Sequence, residues 1–256
     1  LGDVYKRQGV IHDAIDHGSR DLPSACNRAK RLATRPVKFT LPGPHLLAKT
    51  LINQRYSDTS DVAIALAQVL AEQVQSLHAD IIQIDEANIP GSPEEATWAA
   101  AAINVVLDAV PSIPAVHLCF GNYGGQSIQK GDWSSLLDYL NALHVDHIVM
   151  ECAHRPITDL EALREVREDI GLGIGVIDIK RTEVESADEI AKAIDHAAHI
   201  LGPDRLRYVH PDCGFWMLDR SIADAKMRSL VAGRDTYLCL LHKSPSPRDA
   251  TLARMP

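Results

Sequence analysis

Short runs rich in β-branched and other apolar residues alternate along this chain with longer stretches of helical periodicity. The runs are nearly continuous in apolar character, which is typical of parallel strands buried on both faces. This pattern predicts six strands, Val37–Leu41, Ile81–Asp85, Ala115–Cys119, His147–Glu151, Ile174–Asp178 and Leu206–His210.

Helix starts are marked by a serine or threonine followed three positions later by glutamate, the capping-box pattern. Three occurrences predict helix starts, Ser92 with Glu95, Thr158 with Glu161, and Ser186 with Glu189. Between Ser60 and Ala79, apolar residues recur on one face of a helix. Strand, short loop and helix therefore repeat, and this order predicts a parallel sheet with right-handed crossovers.

The length of 256 residues suits one α/β barrel, a fold that commonly takes roughly 250 residues. Such a barrel has eight strands, so six candidates predict a TIM-type (β/α)8 barrel that lacks its first two strands. A doubly wound open sheet is the alternative. Gly171, Gly173 and Gly175 lie close together, but they precede and enter a strand instead of opening a helix, which argues against a nucleotide-binding loop.

The two ends of the chain share no pattern with its middle. Residues 1–8 (LGDVYKRQ) and 242–256 (HKSPSPRDATLARMP) resemble translated adapter sequence, so we expect the natural reading frame to be cut on both sides. The predicted barrel fragment is 9–241.

The net charge of -8 and the absence of a Lys/Arg-rich run argue against a nucleic-acid partner. Apolar stretches fall short of the roughly 20 residues needed to cross a bilayer, and no signal-peptide pattern opens the chain. We therefore expect a cytoplasmic protein without a membrane partner. The cysteine count is odd and no C-x-x-C pair occurs, which disfavours a disulfide framework: Cys26, Cys119, Cys152, Cys213 and Cys239.

Chemically useful side chains follow the carboxyl ends of the predicted strands, the rim where barrel enzymes build their active sites. They include Asp85 and Glu86 after the second strand, and Asp178 after the fifth. The four candidates for a metal site are His117, Cys119, Glu151 and Cys213.

His117 and Cys119 are two residues apart on a strand, so their side chains project to the same side. Glu151 and Cys213 end other strands and can approach from other directions. One imidazole, two thiolates and a carboxylate form a plausible tetrahedral zinc set. By spacing alone, buried packing cysteines and a helix-capping glutamate remain the alternative.

Several segments, in this order, resemble the C-terminal catalytic domain of the cobalamin-independent methionine synthase family: KFTLPGP (38–44), IQIDE (82–86), HLC (117–119), Glu151, GIGVID (173–178) and PDCG (211–214). The resemblance covers about 37–232. It implies that Asp85 and Glu86 bind homocysteine. It also implies a catalytic zinc ion held by His117, Cys119, Glu151 and Cys213.

The implied reaction moves a methyl group from polyglutamylated 5-methyltetrahydrofolate to the thiol of homocysteine, giving methionine. Asp178 and Lys180 are the candidate catalytic residues. Family members carry a histidine where this chain has Lys180, which puts the proton donor and the methyl donor in question. The family's I-G-S/T strand motif is not visible. The alternatives are a zinc-dependent thiol alkyltransferase of the same fold that uses methylcobalamin or coenzyme M, and a truncated, non-catalytic remnant.

Overall fold

The structure is a computed structural model that describes residues 8–17, 21–122, 126–216 and 218–243. Its strands are β1 (Val10–Ile11), β2 (Lys38–Pro42), β3 (Ile52–Asn53), β4 (Ile81–Asp85), β5 (Ile113–Leu118), β6 (His147–Met150), β7 (Gly171–Ile177) and β8 (Leu206–Pro211). Its helices are α1 (Leu22–Leu32), α2 (Pro44–Thr50), α3 (Thr59–Val74), α4 (Ala96–Leu107), α5 (Leu137–Ala142), α6 (Ile157–Ala162), α7 (Ala187–Leu201) and α8 (Arg220–Lys243).

Six strands form one sheet in the order β2-β4-β5-β6-β7-β8, and every neighbouring pair is parallel. A helix lies between each strand of this sheet and the next along the chain, as parallel pairing requires. The short strands β1 and β3 form a separate parallel pair. All six carboxyl ends therefore lie along one rim of the sheet.

The six predicted strands match the six strands of this sheet to within a few residues, and the α/β class is confirmed. The short pair β1 and β3 was not predicted, because two-residue strands carry no periodic signal. Within the described part of the chain the sheet is open, with β2 and β8 at its edges. Closure into an eight-stranded barrel stays a prediction.

The three capping-box predictions have different outcomes. Ser186 accepts from the backbone N–H of Glu189 and begins α7 with both bonds of the box. Ser92 makes no capping bond, and a 3-10 turn over Pro93–Glu95 precedes α4. The prediction at Thr158 was wrong, because the helix already begins at Ile157 behind an extended Pro156, which places Thr158 inside the first turn.

The core lies between the sheet and the helices, where the apolar side chains of β4 to β7 are buried. Trp133, Tyr139 and Phe120 are its largest fully buried aromatic side chains. In the described ranges, no helix is both long enough and apolar enough to span a bilayer. The predicted terminal appendages 1–8 and 242–256 fall outside the described residues except for position 8 and the last two residues of α8.

Candidate metal centre

Three of the four predicted metal ligands meet at the rim. His117 lies on β5, Cys119 follows that strand, and Cys213 follows β8. One ligand atom from each lies within 4.8 Å of the other two. Since β5 and β8 are three strand spacings apart, a flat sheet would separate them by about 14 Å. The curvature of the sheet therefore brings these donors together.

The imidazole of His117 is oriented by its second nitrogen. Nδ1 lies 3.1 Å from the carbonyl oxygen of Val149 on the neighbouring strand, which fixes the ring. Nε2 is buried and has no hydrogen-bond partner among the described residues outside the cluster. A histidine with a backbone carbonyl on one nitrogen and a free second nitrogen has the arrangement common to metal-binding histidines.

The two thiols of the cluster differ in their acidity. Hydrogen bonds with Cys119 and with His117 together lower the pKa of Cys213 to about 4, although burial opposes the change. The contact with Cys213 raises the pKa of Cys119 well above its ordinary value. Burial disfavours a charged His117, but its contact with Cys213 outweighs burial and raises its pKa. The cluster thus holds one thiolate readily and shares its protons among three groups.

These three residues fit zinc as a set of donors. Thiolate sulfur and imidazole nitrogen are the ligands that zinc prefers, and sulfur disfavours magnesium and calcium. Nε2 of His117 is the atom that points to a ligand, because no described group outside the cluster hydrogen-bonds to it and buried polar atoms are otherwise nearly always hydrogen-bonded.

Glu151, the fourth predicted ligand, follows β6 beside the cluster but is not one of its members. Its Oε1 accepts from Nζ of Lys180 at 2.6 Å, and its Oε2 accepts from the backbone N–H of Phe120 at 3.0 Å. Both carboxylate oxygens therefore have partners other than the three donors.

The predicted catalytic pair lies in the loop after β7. The backbone N–H of Lys180 donates to Oδ1 of Asp178 at 2.8 Å. Oδ2 of Asp178 lies 3.3 Å from Nδ1 of His154 and 3.4 Å from Nε of Arg181. Lys180 reaches the site through its ion pair with Glu151. Asp178 instead contacts residues of its own loop and His154 in the loop after β6.

Asp85 is placed next to the cluster. It ends β4 directly opposite His117 on β5, so the two side chains share one face. Gln83 donates to Oδ1 of Asp85 at 2.7 Å, and Lys38 donates to Gln83 at 3.0 Å. Burial raises the pKa of Asp85, and His117 opposes that rise.

Glu86, the other predicted substrate-binding residue, is fully buried. Its two oxygens accept from the backbone N–H groups of His45 and Leu46 at 2.9 and 2.8 Å. These contacts cap the amino end of α2, and burial raises the pKa of Glu86 to about 8. Its role in substrate binding stays a prediction that the contacts do not favour.

Asp212 is a buried carboxylate beside Cys213 to which the sequence assigned no role. Oδ1 accepts from the backbone N–H groups of Cys152 and Ala153 at 2.9 and 2.8 Å, and Oδ2 accepts from that of His154 at 3.0 Å. Burial raises the pKa of Asp212 to about 7. The residue ties the loop after Glu151 to the segment that carries Cys213.

The glycines of β7 leave room for this arrangement. A Cβ atom at Gly175 would lie 2.0 Å from Oδ1 of Asp212, and one at Gly171 would lie 2.4 Å from Arg207. At both distances the neighbouring side chain, Asp212 or Arg207, would have to move to admit a Cβ atom. Glycine in a strand interior often marks such close approaches, and this was the signal that could have identified Asp212.

The fold and the rim site define a parallel α/β enzyme with a histidine–cysteine cluster that could hold a metal ion. The chain belongs to the family described as cobalamin-independent synthase, catalytic domain, which it matches over residues 1–234. That match includes most of the chain and also the eight residues predicted to be extraneous.

Named relatives agree with this assignment. The methionine synthase of Thermococcus kodakarensis is 34% identical over 236 residues, which are 91% of this chain and 67% of that protein. The methionine synthase of Saccharolobus solfataricus is 29% identical over 91% of this chain and 68% of that protein. The chain thus spans about two thirds of their length, and the predicted family and enzyme class are confirmed.

A solved structure supports the fold. The B12-independent methionine synthase from Shewanella sp. W3-18-1, in complex with selenomethionine, superposes with a TM-score of 0.81. It covers 92% of this chain and 72% of that one at 24% identity. The arrangement of sheet and helices described above is therefore that of a known fold.

Proposed function

We propose that this protein is a zinc-dependent methyltransferase that converts homocysteine to methionine. The observation that carries the proposal is the convergence of His117, Cys119 and Cys213 within 4.8 Å, in a chain of the cobalamin-independent synthase family. No described residue outside the cluster hydrogen-bonds to Nε2 of His117.

His117, Cys119 and Cys213 would hold the zinc ion. When bound, zinc supplies the positive charge that keeps a coordinating thiol deprotonated at neutral pH. Homocysteine needs this help because a free thiol has a pKa near 8.5 and attacks poorly when protonated.

Asp85 is the residue we propose for the amino group of homocysteine. Its carboxylate shares a face with His117, and Gln83 holds one of its oxygens at 2.7 Å. A carboxylate and an ammonium group form a charge-assisted hydrogen bond, which would orient the amino acid with its sulfur toward the three donors.

The methyl donor we propose is 5-methyltetrahydrofolate in its polyglutamylated form. The methyl group passes from nitrogen to sulfur, and the nitrogen takes up a proton when it leaves. Lys180 was the candidate for the acid that supplies this proton, but its Nζ is bonded to Glu151. This contact favours a second candidate, a donor such as methylcobalamin that requires no acid at this position.

The test measures methionine formation by the zinc-loaded protein with homocysteine held fixed and the donor varied. The donors are mono- and triglutamyl 5-methyltetrahydrofolate and methylcobalamin, and coenzyme M replaces homocysteine in a further arm. Activity with homocysteine that disappears on chelation and returns with zinc is the expected result. Full zinc occupancy without methionine from any donor would overturn the proposal and favour a non-catalytic remnant.

A further inference from the structure

Two hydrogen bonds connect Lys38, on the edge strand β2, with Asp85, the residue proposed for the amino group of the substrate. Nζ of Lys38 donates to Oε1 of Gln83 at 3.0 Å, and Nε2 of Gln83 donates to Oδ1 of Asp85 at 2.7 Å. Gln83 and Asp85 are two residues apart on β4, so they project to the same side, which also carries His117. These contacts therefore run along one face of the sheet and end beside the histidine–cysteine cluster.

The register of the sheet explains how Lys38 reaches Gln83. Lys38 lies opposite Ile81, and Thr40 lies opposite Gln83. Side chains alternate between the faces of a sheet, so Lys38 and Gln83 share a face, and the flexible four-carbon stem of lysine covers the remaining distance. Nζ of Lys38 also lies 5.6 Å from the centroid of the Tyr208 ring on β8, within the range of a cation–π contact. Lys38 thus has contacts on both sides of its ammonium group.

The charge of Lys38 decides which way the amide of Gln83 points. An ammonium group has only donors, and an ionised carboxylate has only acceptors. The amide between them satisfies both when its oxygen faces Lys38 and its NH2 group faces Asp85. In the reverse orientation two donors would face each other at Lys38, and two acceptors would face each other at Asp85. Lys38 therefore selects the orientation in which Gln83 donates to the carboxylate.

The contact with Gln83 also decides which oxygen of Asp85 is available. Gln83 occupies Oδ1, and it is the one side chain of the described residues that hydrogen-bonds to this carboxylate. A carboxylate otherwise rotates freely about its broad terminal torsion, so this bond fixes where Oδ2 points. Gln83 is buried whereas Asp85 is half-buried, so a ligand can reach the carboxylate while the amide stays shielded from water.

We propose that Gln83, oriented by Lys38, is a specificity-determining positioning residue for the amino group of the substrate. It holds Oδ1 of Asp85 and leaves Oδ2 for the ammonium group, so that a thiol with an α-amino group is preferred to one without it. The inference rests on the proposed function, because it takes Asp85 as the partner of the amino group of homocysteine.

The experiment compares two ligands that differ only in the amino group, homocysteine and its deamino analogue γ-mercaptobutyrate. Their dissociation constants for the zinc-loaded full chain are measured by isothermal titration calorimetry. The ratio of the two constants is the selectivity for the amino group. A merely structural defect weakens the binding of both ligands and leaves this ratio unchanged. Zinc content and thermal unfolding are measured for every variant.

The variants remove one contact at a time. They are Asp85→Asn, Gln83→Met, Lys38→Met, Lys38→Arg and the double variant of Lys38→Met with Gln83→Met. Lys30→Met is the matched control, because Nζ of Lys30 donates at 3.1 Å to Asp80, just before β4, and has no contact with Gln83 or Asp85.

The unchanged protein should bind homocysteine at least about tenfold more tightly than the analogue, and Asp85→Asn should remove this preference. Gln83→Met should reduce the ratio by about fivefold, and Lys38→Met by about threefold because the amide is then free to turn. Lys38→Arg keeps a donor and should stay within about twofold of the unchanged protein. The double variant should lose no more than Gln83→Met alone, because Lys38 acts through Gln83. Lys30→Met should leave the ratio unchanged.

The outcomes separate failure of this inference from failure of the proposed function. If the unchanged protein does not prefer homocysteine, or if Asp85→Asn keeps the preference, the site given to homocysteine in the proposed function is wrong. If Asp85→Asn loses the preference while Lys38→Met and Gln83→Met keep it, the proposed function stands and the roles given to Gln83 and Lys38 are wrong. The comparison of Lys38→Met with Lys38→Arg decides the matter even if Gln83→Met, at a buried position, fails to fold.

Discussion

The three candidate metal donors and the buried carboxylates around them lie side by side at one rim but differ in how their polar atoms are satisfied. Nε2 of His117 has no hydrogen-bond partner among the described residues outside the cluster, and the two thiols contact chiefly each other and His117. Every oxygen of Glu151, Asp212 and Glu86, in contrast, accepts from a backbone N–H or a lysine. The three donors could therefore still bind an ion, whereas the carboxylates connect segments of the rim to one another.

The difference matters because leaving a buried polar atom without a partner costs roughly 1–3 kcal/mol. The protein accepts that cost at His117, where an ion would satisfy it, and avoids it at the carboxylates. Substitutions in the two regions should therefore have opposite consequences. Loss of a donor should weaken metal binding more than it lowers the stability of the fold. Loss of a carboxylate should lower the stability of the fold more than it weakens metal binding.

The largest effect is expected for Cys213→Ser, which removes the most acidic thiol of the cluster. Zinc affinity should fall by at least about 100-fold and methionine formation should cease, while the free energy of unfolding without metal changes by less than about 1 kcal/mol. Chelator competition and urea unfolding measure the two quantities. Cys239→Ser, at an exposed thiol on α8, is the matched control. Equal effects of both variants would break the contrast between donors and carboxylates.

The sequence predicted the donors better than their surroundings. His117, Cys119 and Cys213 could be predicted because parallel strands place their carboxyl ends at one rim and because H-x-C fixes two side chains on one face. The structure places ligand atoms of His117, Cys119 and Cys213 within 4.8 Å of one another, and their role as metal ligands stays a prediction.

The sequence could not show which partner each carboxylate takes. Glu151 and Lys180 are 29 residues apart, and their pairing depends on how the loops after β6 and β7 pack. Asp212 lies next to a predicted ligand, but its three backbone donors come from a segment about 60 residues earlier. Such contacts arise from tertiary packing, for which local periodicity carries no information.

The second prediction concerns Asp212→Ala, which leaves three backbone N–H groups of the loop after Glu151 without an acceptor. The free energy of unfolding should fall by about 3 kcal/mol. Zinc affinity should fall by no more than about tenfold, because all three donors remain. Asp212→Asn keeps one acceptor oxygen, so its free energy of unfolding in urea should lie between those of the unchanged protein and of Asp212→Ala. If Asp212→Ala loses all its zinc while its free energy of unfolding is unchanged, Asp212 is part of the metal site and the prediction is wrong.

The last prediction concerns Glu86, at the amino end of α2, where we expect a change in the pH dependence of stability and none in metal binding. Burial raises its pKa from an ordinary 4.5 to about 8, so between these values the folded protein holds a proton that the unfolded chain releases. Stability from this group is complete below pH 4.5 and is lost as the pH rises through 8, at a slope of at most about 1.4 kcal/mol per pH unit. Glu86→Gln, which cannot titrate, should flatten that part of the stability profile measured from pH 5 to pH 8. Glu94→Gln, at an exposed position nearby, should leave the slope intact. If stability instead rises over this range and Glu86→Gln abolishes the rise, the carboxylate is charged in the folded protein and helix capping outweighs its burial.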